Sequence, residues 1–217
     1  MKIKYKLITS VDEALNWLIS NYNEFINKNQ RELNIENTLA NALYCYTGSM
    51  SGVYNDILYK ANANIEGIKL DDSMHENDYI FHADTLQNIK LIYEGFKYNQ
   101  INEDIVLYHY INFTCKSLIS YIRNNKNIFV LKRFISTTLL KNSYAIKRLI
   151  NQNKYNILFK INVPKGTNCI PILWNSKQSN LQEFEVILEP NLKLKLIKTR
   201  KKFFSKIKYE LEFNVEQ

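Results

Sequence analysis

Apolar positions recur at helical spacing through the first hundred residues and at strand spacing after them. Ala14, Leu15, Leu18, Ile19, Tyr22, Phe25 and Ile26 stand three or four residues apart, on one face of a predicted helix. Ser10-Val11-Asp12-Glu13 predicts its start: the Ser10 hydroxyl can accept a first-turn amide, and Glu13 follows three residues on. Further amphipathic stretches run from about Glu36 to Tyr46 (Leu39, Ala42, Leu43, Tyr46), from Ser51 to Ala61 (Val53, Ile57, Leu58) and from Asp84 to Phe96 (Leu86, Ile89, Ile92, Tyr93).

The texture changes after about residue 103. Ile105 to Ile111 is a compact β-branched and aromatic run, which predicts a largely buried strand. Phe134 to Thr138 reads as a short strand, Ser143 to Gln152 as a helix, and Tyr155 to Val163 as a strand with Tyr155, Ile157, Phe159, Ile161 and Val163 on one side. Pro164-Lys165-Gly166-Thr167 makes a turn. Asn168–Leu173, Glu183–Leu188, Leu192–Lys198 and Ile207–Phe213 are the remaining predicted strands. Leu192, Leu194, Leu196 and Lys198 alternate with Lys193, Lys195, Ile197 and Thr199, so one sheet face is expected to be mostly apolar and the other mostly basic. No linker or internal repeat interrupts the chain. The expectation is an α+β fold in one domain, residues 1–217, with a helical lobe over 1–100 leading into a mostly antiparallel β core over 101–217.

Composition narrows the function classes. Hydrophobic residues at 46% and charged residues at 23% exclude a disordered or fibrous chain. Five Gly and three Pro leave no Gly-rich phosphate loop. The net charge of +8 points to an anionic partner without choosing among nucleotide, nucleic acid and acidic surface. Cys45, Cys115 and Cys169 are far apart, form no CxxC pair and number three, so free thiols are expected, and neither a disulfide framework nor a metal site. No signal peptide and no membrane span is visible. The chain reads as soluble, acting in the cytosol where it is made or delivered by other machinery.

Three segments carry candidate chemistry. Leu107-Tyr108-His109-Tyr110 sets a polar ring in an apolar strand, either as a hydrogen-bonded core histidine or as a site residue. Arg133-Phe134-Ile135-Ser136-Thr137-Thr138 places three hydroxyls in a row, as a strand edge or as a site. In Gln182-Glu183-Phe184-Glu185-Val186-Ile187-Leu188 the two glutamates point the same way, beside a run that enters the core. Paired carboxylates there cost free energy unless something uses them; the alternative is a strand end whose acids reach solvent or lysines.

In this order the three segments resemble the mono-ADP-ribosyltransferase toxins, in particular the clostridial-type branch with Arg on a first core strand, Phe-x-Ser-Thr-Ser, then Glu-x-Glu or Gln-x-Glu. Tyr46-Thr47-Gly48-Ser49 through Tyr54-Asn55-Asp56-Ile57-Leu58 and Asn162-Val163-Pro164-Lys165-Gly166-Thr167 resemble flanking motifs of the same branch. The resemblance covers roughly residues 36 to 200 and implies an ADP-ribosyltransferase-like fold whose β core has two sheets. It implies NAD as co-substrate, a protein acceptor, and a toxin or effector. Glu185 would hydrogen-bond the ribose, Glu183 would serve the acceptor (Glu there goes with arginine), and Ser136 would orient Glu185. Thr137, Thr138, Tyr110 and Arg133 would support the NAD pocket. The loop from Trp174 to Gln182 would recognise substrate, with Trp174, Gln182 and Phe184 as contacts.

His109 departs from the pattern, because the family places Arg there. Histidine is shorter and largely neutral at pH 7, so it cannot replace a bidentate phosphate clamp. Either His109 hydrogen-bonds the adenosine ribose, as a matching His does in the diphtheria-toxin and poly-ADP-ribose polymerase branch, with Arg123, Arg133 or Arg148 answering the phosphates, or its presence marks an inactive, binding relative. The basic run Lys198-Thr199-Arg200-Lys201-Lys202 raises nucleic acid as a further partner class, although no standard nucleic-acid motif accompanies it. A toxic transferase would also need a delivery partner, or an antitoxin in the cell that makes it.

Overall fold

The structure, a computed structural model, describes residues 4–30, 38–66, 68, 76–111, 115–143, 156–173, 184–202 and 207–216. Helix α1 (Val11–Gln30) starts where Ser10 predicts it. The Glu13 amide donates to Ser10 Oγ at 3.1 Å, and Glu13 reaches back to accept from the Thr9 amide at 2.9 Å. Helix α2 (Leu39–Cys45) is capped by the Thr38 hydroxyl, which accepts from the Asn41 amide. It passes through a π-helical turn, Tyr46–Met50, into α3 (Ser51–Lys60). Helix α4 (Glu76–Gly95) begins earlier than its apolar stripe, and α5 (Cys115–Asn124) follows the first strand.

The strands are β1 (Ile105–Ile111), β2 (Ile128–Val130), β3 (Ile135–Thr138), β4 (Ile157–Val163), β5 (Cys169–Ile172), β6 (Glu185–Leu188), β7 (Lys193–Lys201) and β8 (Tyr209–Glu216). Their order is β2-β7-β8-β4-β1-β3-β6-β5, antiparallel throughout except for the parallel pair β4–β8. Two sheets are expected from the resemblance; the hydrogen bonds instead join all eight strands. The join is narrow, because β1 and β3 are in register at Tyr108 and Thr138 alone. The ladder is therefore a five-strand half and a three-strand half with a thin seam between them. The sheet is mixed, as β8 lies parallel beside β4.

Three apolar clusters hold these layers. The main core packs Trp17, Leu18 and Tyr22 of α1 and Leu118 and Ile122 of α5 on strand residues such as Phe159, Leu211 and Phe213. A second joins Leu43, Tyr54, Leu58, Ile89 and Ile92 of the helical lobe to Phe134, Ile170, Ile172 and Ile187. The third, smaller, contains Val106, Tyr108, Tyr110 and Leu158. At Gly95 a Cβ would come within 3.0 Å of Leu39 and 3.1 Å of Ile170, so glycine lets α4 close on α2 and β5.

The predicted alternation in β7 breaks at an irregularity between Leu196 and Lys198. Leu194 is buried, Ile197 is 51% exposed and Lys198 is exposed. Two cations of this strand are answered from β8: Lys195 by Glu216 at 3.0 Å, and Arg200 by Glu210 at 3.3 Å. The helix expected at Ser143 to Gln152 lies outside the described residues after Ser143.

Candidate active site

The antiparallel register of β3 and β6 sets Ser136 opposite Ile187, Thr137 opposite Val186 and Thr138 opposite Glu185. Directly opposed residues share a face, as do residues two apart. Ser136, Thr138, Glu185 and Ile187 therefore lie on one face, and Ile187 packs there with the helical lobe. Thr137 and Val186 lie on the other, with Val186 in the main core. The Thr137 hydroxyl donates to the Val186 carbonyl, so it braces the strand pair. Thr138 Oγ1 accepts from the Leu140 amide at 3.2 Å, which holds the turn after β3.

The helical lobe delivers a side chain that the sequence-based assignment of site residues omits. Tyr46, at the start of the π-helical turn, is 1% exposed and shares a 2.9 Å hydrogen bond with Ser136 Oγ. Asn55 in α3 fixes the same junction: its Oδ1 accepts from the Phe134 amide at 3.0 Å, and its Nδ2 approaches the Tyr46 phenol at 3.5 Å. Burial, and next the negative field of Glu185, push the Tyr46 phenol up to about 12; its bonds to Ser136 and Asn55 and the charge of Arg133 oppose this. Tyr46 is therefore a protonated phenol at neutral pH, and it senses both Glu185 and Arg133. Glu185 itself is 8% exposed. The sequence signal for Tyr46 is an aromatic-hydroxyl pair, Tyr46-Thr47, at the end of an amphipathic helix.

His109 stands on β1 with Phe159 opposite it on β4. Its Nδ1 lies 2.7 Å from the Ser136 carbonyl oxygen. Burial lowers its pKa to about 4; the bond to Ser136 works against that and the charge of Arg133 with it. His109 is thus neutral at pH 7. Arg133, half-buried just before β3, is the cation whose field reaches both His109 and Tyr46.

Two residues expected at the site have other partners. Tyr110 lies in the small cluster with Tyr108 and Leu158, and its phenol donates to the Lys141 carbonyl. Strand alternation makes this the face opposite His109, and the register of Tyr108 with Thr138 makes it the face that carries Ser136 and Glu185. Phe184 is 2% exposed in the main core, which corrects the expectation of a substrate-contacting ring. Its backbone is left-handed, φ +46°, rare for a bulky residue, and forms the corner that leads into Glu185. Trp174, Gln182 and Glu183 lie outside the described residues. A groove of about 500 Å³ between α1 and α4, lined by Tyr22, Phe25, Leu39 and Tyr98, includes none of the clustered residues, so its size does not mark it as the site.

Glu185, Ser136, Tyr46 and Arg133 thus combine a buried carboxylate, two hydroxyls and a cation beside a sheet seam. The ADP-ribosyltransferase exoenzyme family matches the chain over residues 20–214. The chain belongs to that family. The exoenzyme fold is shared with the C3 exoenzyme of Clostridium limosum at TM-score 0.69 and 17% identity, over 99% of this chain and 98% of that one. C3stau2 from S. aureus, solved with NAD, aligns at TM-score 0.64 and 18% identity over 99% and 100%. BECa, the ADP-ribosylating toxin of a binary enterotoxin of C. perfringens, solved with NADH, aligns at TM-score 0.69 and 17% identity over 99% of this chain. The chain spans about half of BECa, 50%. No curated protein matches by sequence. NAD is the co-substrate of ADP-ribosyltransferase exoenzymes. The clustered residues fit it in kind: Glu185, Ser136 and Tyr46 can hydrogen-bond ribose hydroxyls, and Arg133 can answer phosphate charge. No helix among the described residues is long and apolar enough to cross a membrane.

Proposed function

We propose that the chain is an NAD-dependent mono-ADP-ribosyltransferase that modifies arginine on a target protein, as a toxin or effector. The observation that carries this is the buried Glu185 carboxylate on the same sheet face as Ser136, whose hydroxyl is tied to Tyr46. NAD supplies the nicotinamide–ribose bond that breaks and the ADP-ribose that moves. As that bond breaks, positive charge grows on the ribose, and a preorganised carboxylate in a low-dielectric site stabilises it. Glu185 has this role. Ser136, held by Tyr46, orients Glu185 and limits its motion. Glu183, two residues earlier in the sequence, faces the acceptor and takes its proton or aligns it. Trp174 and Gln182 belong to the acceptor-recognition loop. Arg133 provides the charge for the phosphates that neutral His109 does not.

The acceptor is a host or other target protein, met in the cytoplasm after secretion or injection by a non-classical route; a delivery partner and an antitoxin belong to this reading. A second reading, a catalytically impaired binding relative, is favoured by His109 at the position where the family pattern has arginine.

The test is labelling. Purified protein and a Glu185→Gln control are incubated with tagged NAD and cell lysates. A labelled band with the wild type alone is the expected result, with mass spectrometry placing ADP-ribose on arginine. Glu183→Gln is expected to lose transfer by more than about tenfold while NAD hydrolysis falls less. Equal loss of both reactions would remove the role of Glu183. No label, no hydrolysis and no calorimetric NAD binding would leave the impaired-relative reading.

A further inference from the structure

We propose that the polar face of the five-strand half of the sheet is a docking surface for an acidic patch on the acceptor protein, so that anionic residues beside the modified arginine are part of what the chain recognises. The proposal rests on the reading of the chain as an arginine-directed transferase.

The irregularity in β7 builds this face. Lys193 and Lys195 lie opposite Glu216 and Asn214 of β8. Unbroken alternation would turn Ile197 and Thr199 to the same side, and Lys198 and Arg200 to the other. The extra residue between Leu196 and Lys198 reverses the phase. Lys198 therefore comes opposite Glu212, and Arg200 opposite Glu210. Lys202 also pairs with Glu210, Lys160 of β4 pairs with Glu212, and Lys141 reaches Glu210 from the turn after β3. Seven cations thus share the face with three carboxylates, Glu210, Glu212 and Glu216, an excess of four positive charges in a chain of net charge +8. In each of these ion pairs the carboxylate is the more buried partner. The Glu210 side chain is 5% exposed against 35% for Lys141 and 50% for Arg200, and Glu216 is 31% exposed against 53% for Lys195. The anions are sunk and the cations stand outward. Lys193 and Lys198 are exposed and have no carboxylate partner among the described residues.

The face runs toward the site. Register sets Glu185, Thr138, Tyr108, Lys160, Glu212 and Lys198 in one row across β6, β3, β1, β4, β8 and β7, all on one side. At about 4.8 Å per strand, Lys160 stands about 14 Å from Glu185 along the row, and Lys198 about 24 Å. A protein surface whose arginine meets Glu185 extends over those cations. Complementary charge speeds its arrival and sets its orientation. Nucleic acid fits the face less well. Single strands are held by stacking on exposed rings, and the rings of this face, Tyr108 and Tyr110, are each 5% exposed.

The experiment measures binding first and transfer second. The probe is a synthetic peptide with one arginine and a block of glutamates about four to seven positions from it, the reach of an extended chain at about 3.3 Å per residue. Its control carries glutamines in the block. Fluorescence anisotropy with the full chain is expected to show about tenfold tighter binding of the glutamate peptide, weakening as salt rises. With tagged NAD, the glutamate peptide should have a KM about tenfold lower at similar kcat. Lys193→Glu combined with Lys198→Glu is expected to erase both preferences. It should leave NAD hydrolysis, and transfer to the small guanidine acceptor agmatine, within about twofold. Lys60→Glu combined with Lys97→Glu changes the net charge equally at exposed positions of the helical lobe and should keep both preferences. Equal handling of the two peptides by the wild type would overturn the proposal. So would an equal loss in the Lys60 and Lys97 variant, which would make the effect one of net charge. A single-stranded oligonucleotide that binds at about 150 mM salt, where the glutamate peptide does not, would assign the face to nucleic acid and overturn it as well. A wild type that modifies neither peptide nor agmatine would defeat the transferase reading, and the anisotropy would still decide the face.

Discussion

Tyr46 joins the helical lobe to β3 through one oxygen. Tyr46→Phe removes the bond to Ser136 and leaves the ring packing on Phe134 and Tyr54 in place. Stability is expected to fall by about 1 kcal/mol in urea unfolding. Turnover should fall further than that figure implies, since Ser136 loses its orienting partner; an unchanged kcat would mean that Ser136 needs no such partner. His109 adds a pH dependence of stability. Its folded pKa, about 4, lies below the ordinary 6.5. As pH drops, the unfolded chain takes up the proton first, so this contribution is full above about 6.5 and is lost between there and about 4. His109→Asn should flatten the decline of the urea midpoint over that interval. Ser136 and Thr138 stood out in the chain as part of a hydroxyl run and Glu185 as one of two glutamates in phase, and the resemblance joined them; the β3–β6 register that sets Thr138 opposite Glu185 is a property of the fold. Phe184 was expected at the substrate by resemblance alone; strand alternation sets it in phase with Val186 and Leu188, and the three share the main core.

At the scale of elements, the β7–β8 hairpin is organised by one buried carboxylate. Glu210 is 4% exposed and accepts from Lys141 at 2.7 Å, pairs with Lys202 at 2.9 Å and meets Arg200 at 3.3 Å. Burial pushes Glu210 up, but the bonds and charges of Lys141 and Lys202 overcome it and hold the carboxyl at about 2. A depressed carboxyl stabilises the fold above its unfolded value, so this contribution disappears as pH falls from about 4.5 toward about 2. Glu210→Gln is expected to cost about 1–3 kcal/mol at pH 7, because it leaves three cations crowded without their anion. It should also remove the steepest part of acid unfolding, which circular dichroism against pH would show. Helices with long apolar stripes and caps, α1 above all, were readable from the chain. Helix α5 was not: Cys, Ser, Tyr and Asn dilute its helix preference, and the stripe it buries, Leu118 and Ile122, spans about one turn among the described residues. Nor was β2, three residues long, or the irregularity in β7, which strand alternation cannot express.

Across the whole molecule, aromatic rings connect the lobes. Phe134 meets Tyr46 at 5.5 Å, Tyr93 at 5.4 Å and Phe96 at 5.8 Å between centroids. Phe134→Ala should destabilise by about 3–5 kcal/mol and lower the thermal midpoint, since a ring that touches three others leaves a cavity that cannot collapse. A loss under about 1 kcal/mol would show instead that the lobes are held independently. The sheet topology has a bearing on synthesis. Strand β4 has β1 on one side and β8 on the other, and β8 follows after β5, β6 and β7 have been made. A ribosome supplies β4 long before its second partner, so its free side stays bare until β8 emerges, and non-local pairing of this kind is slow. The five-strand half of the sheet thus closes late, only after β8 has entered between β7 and β4.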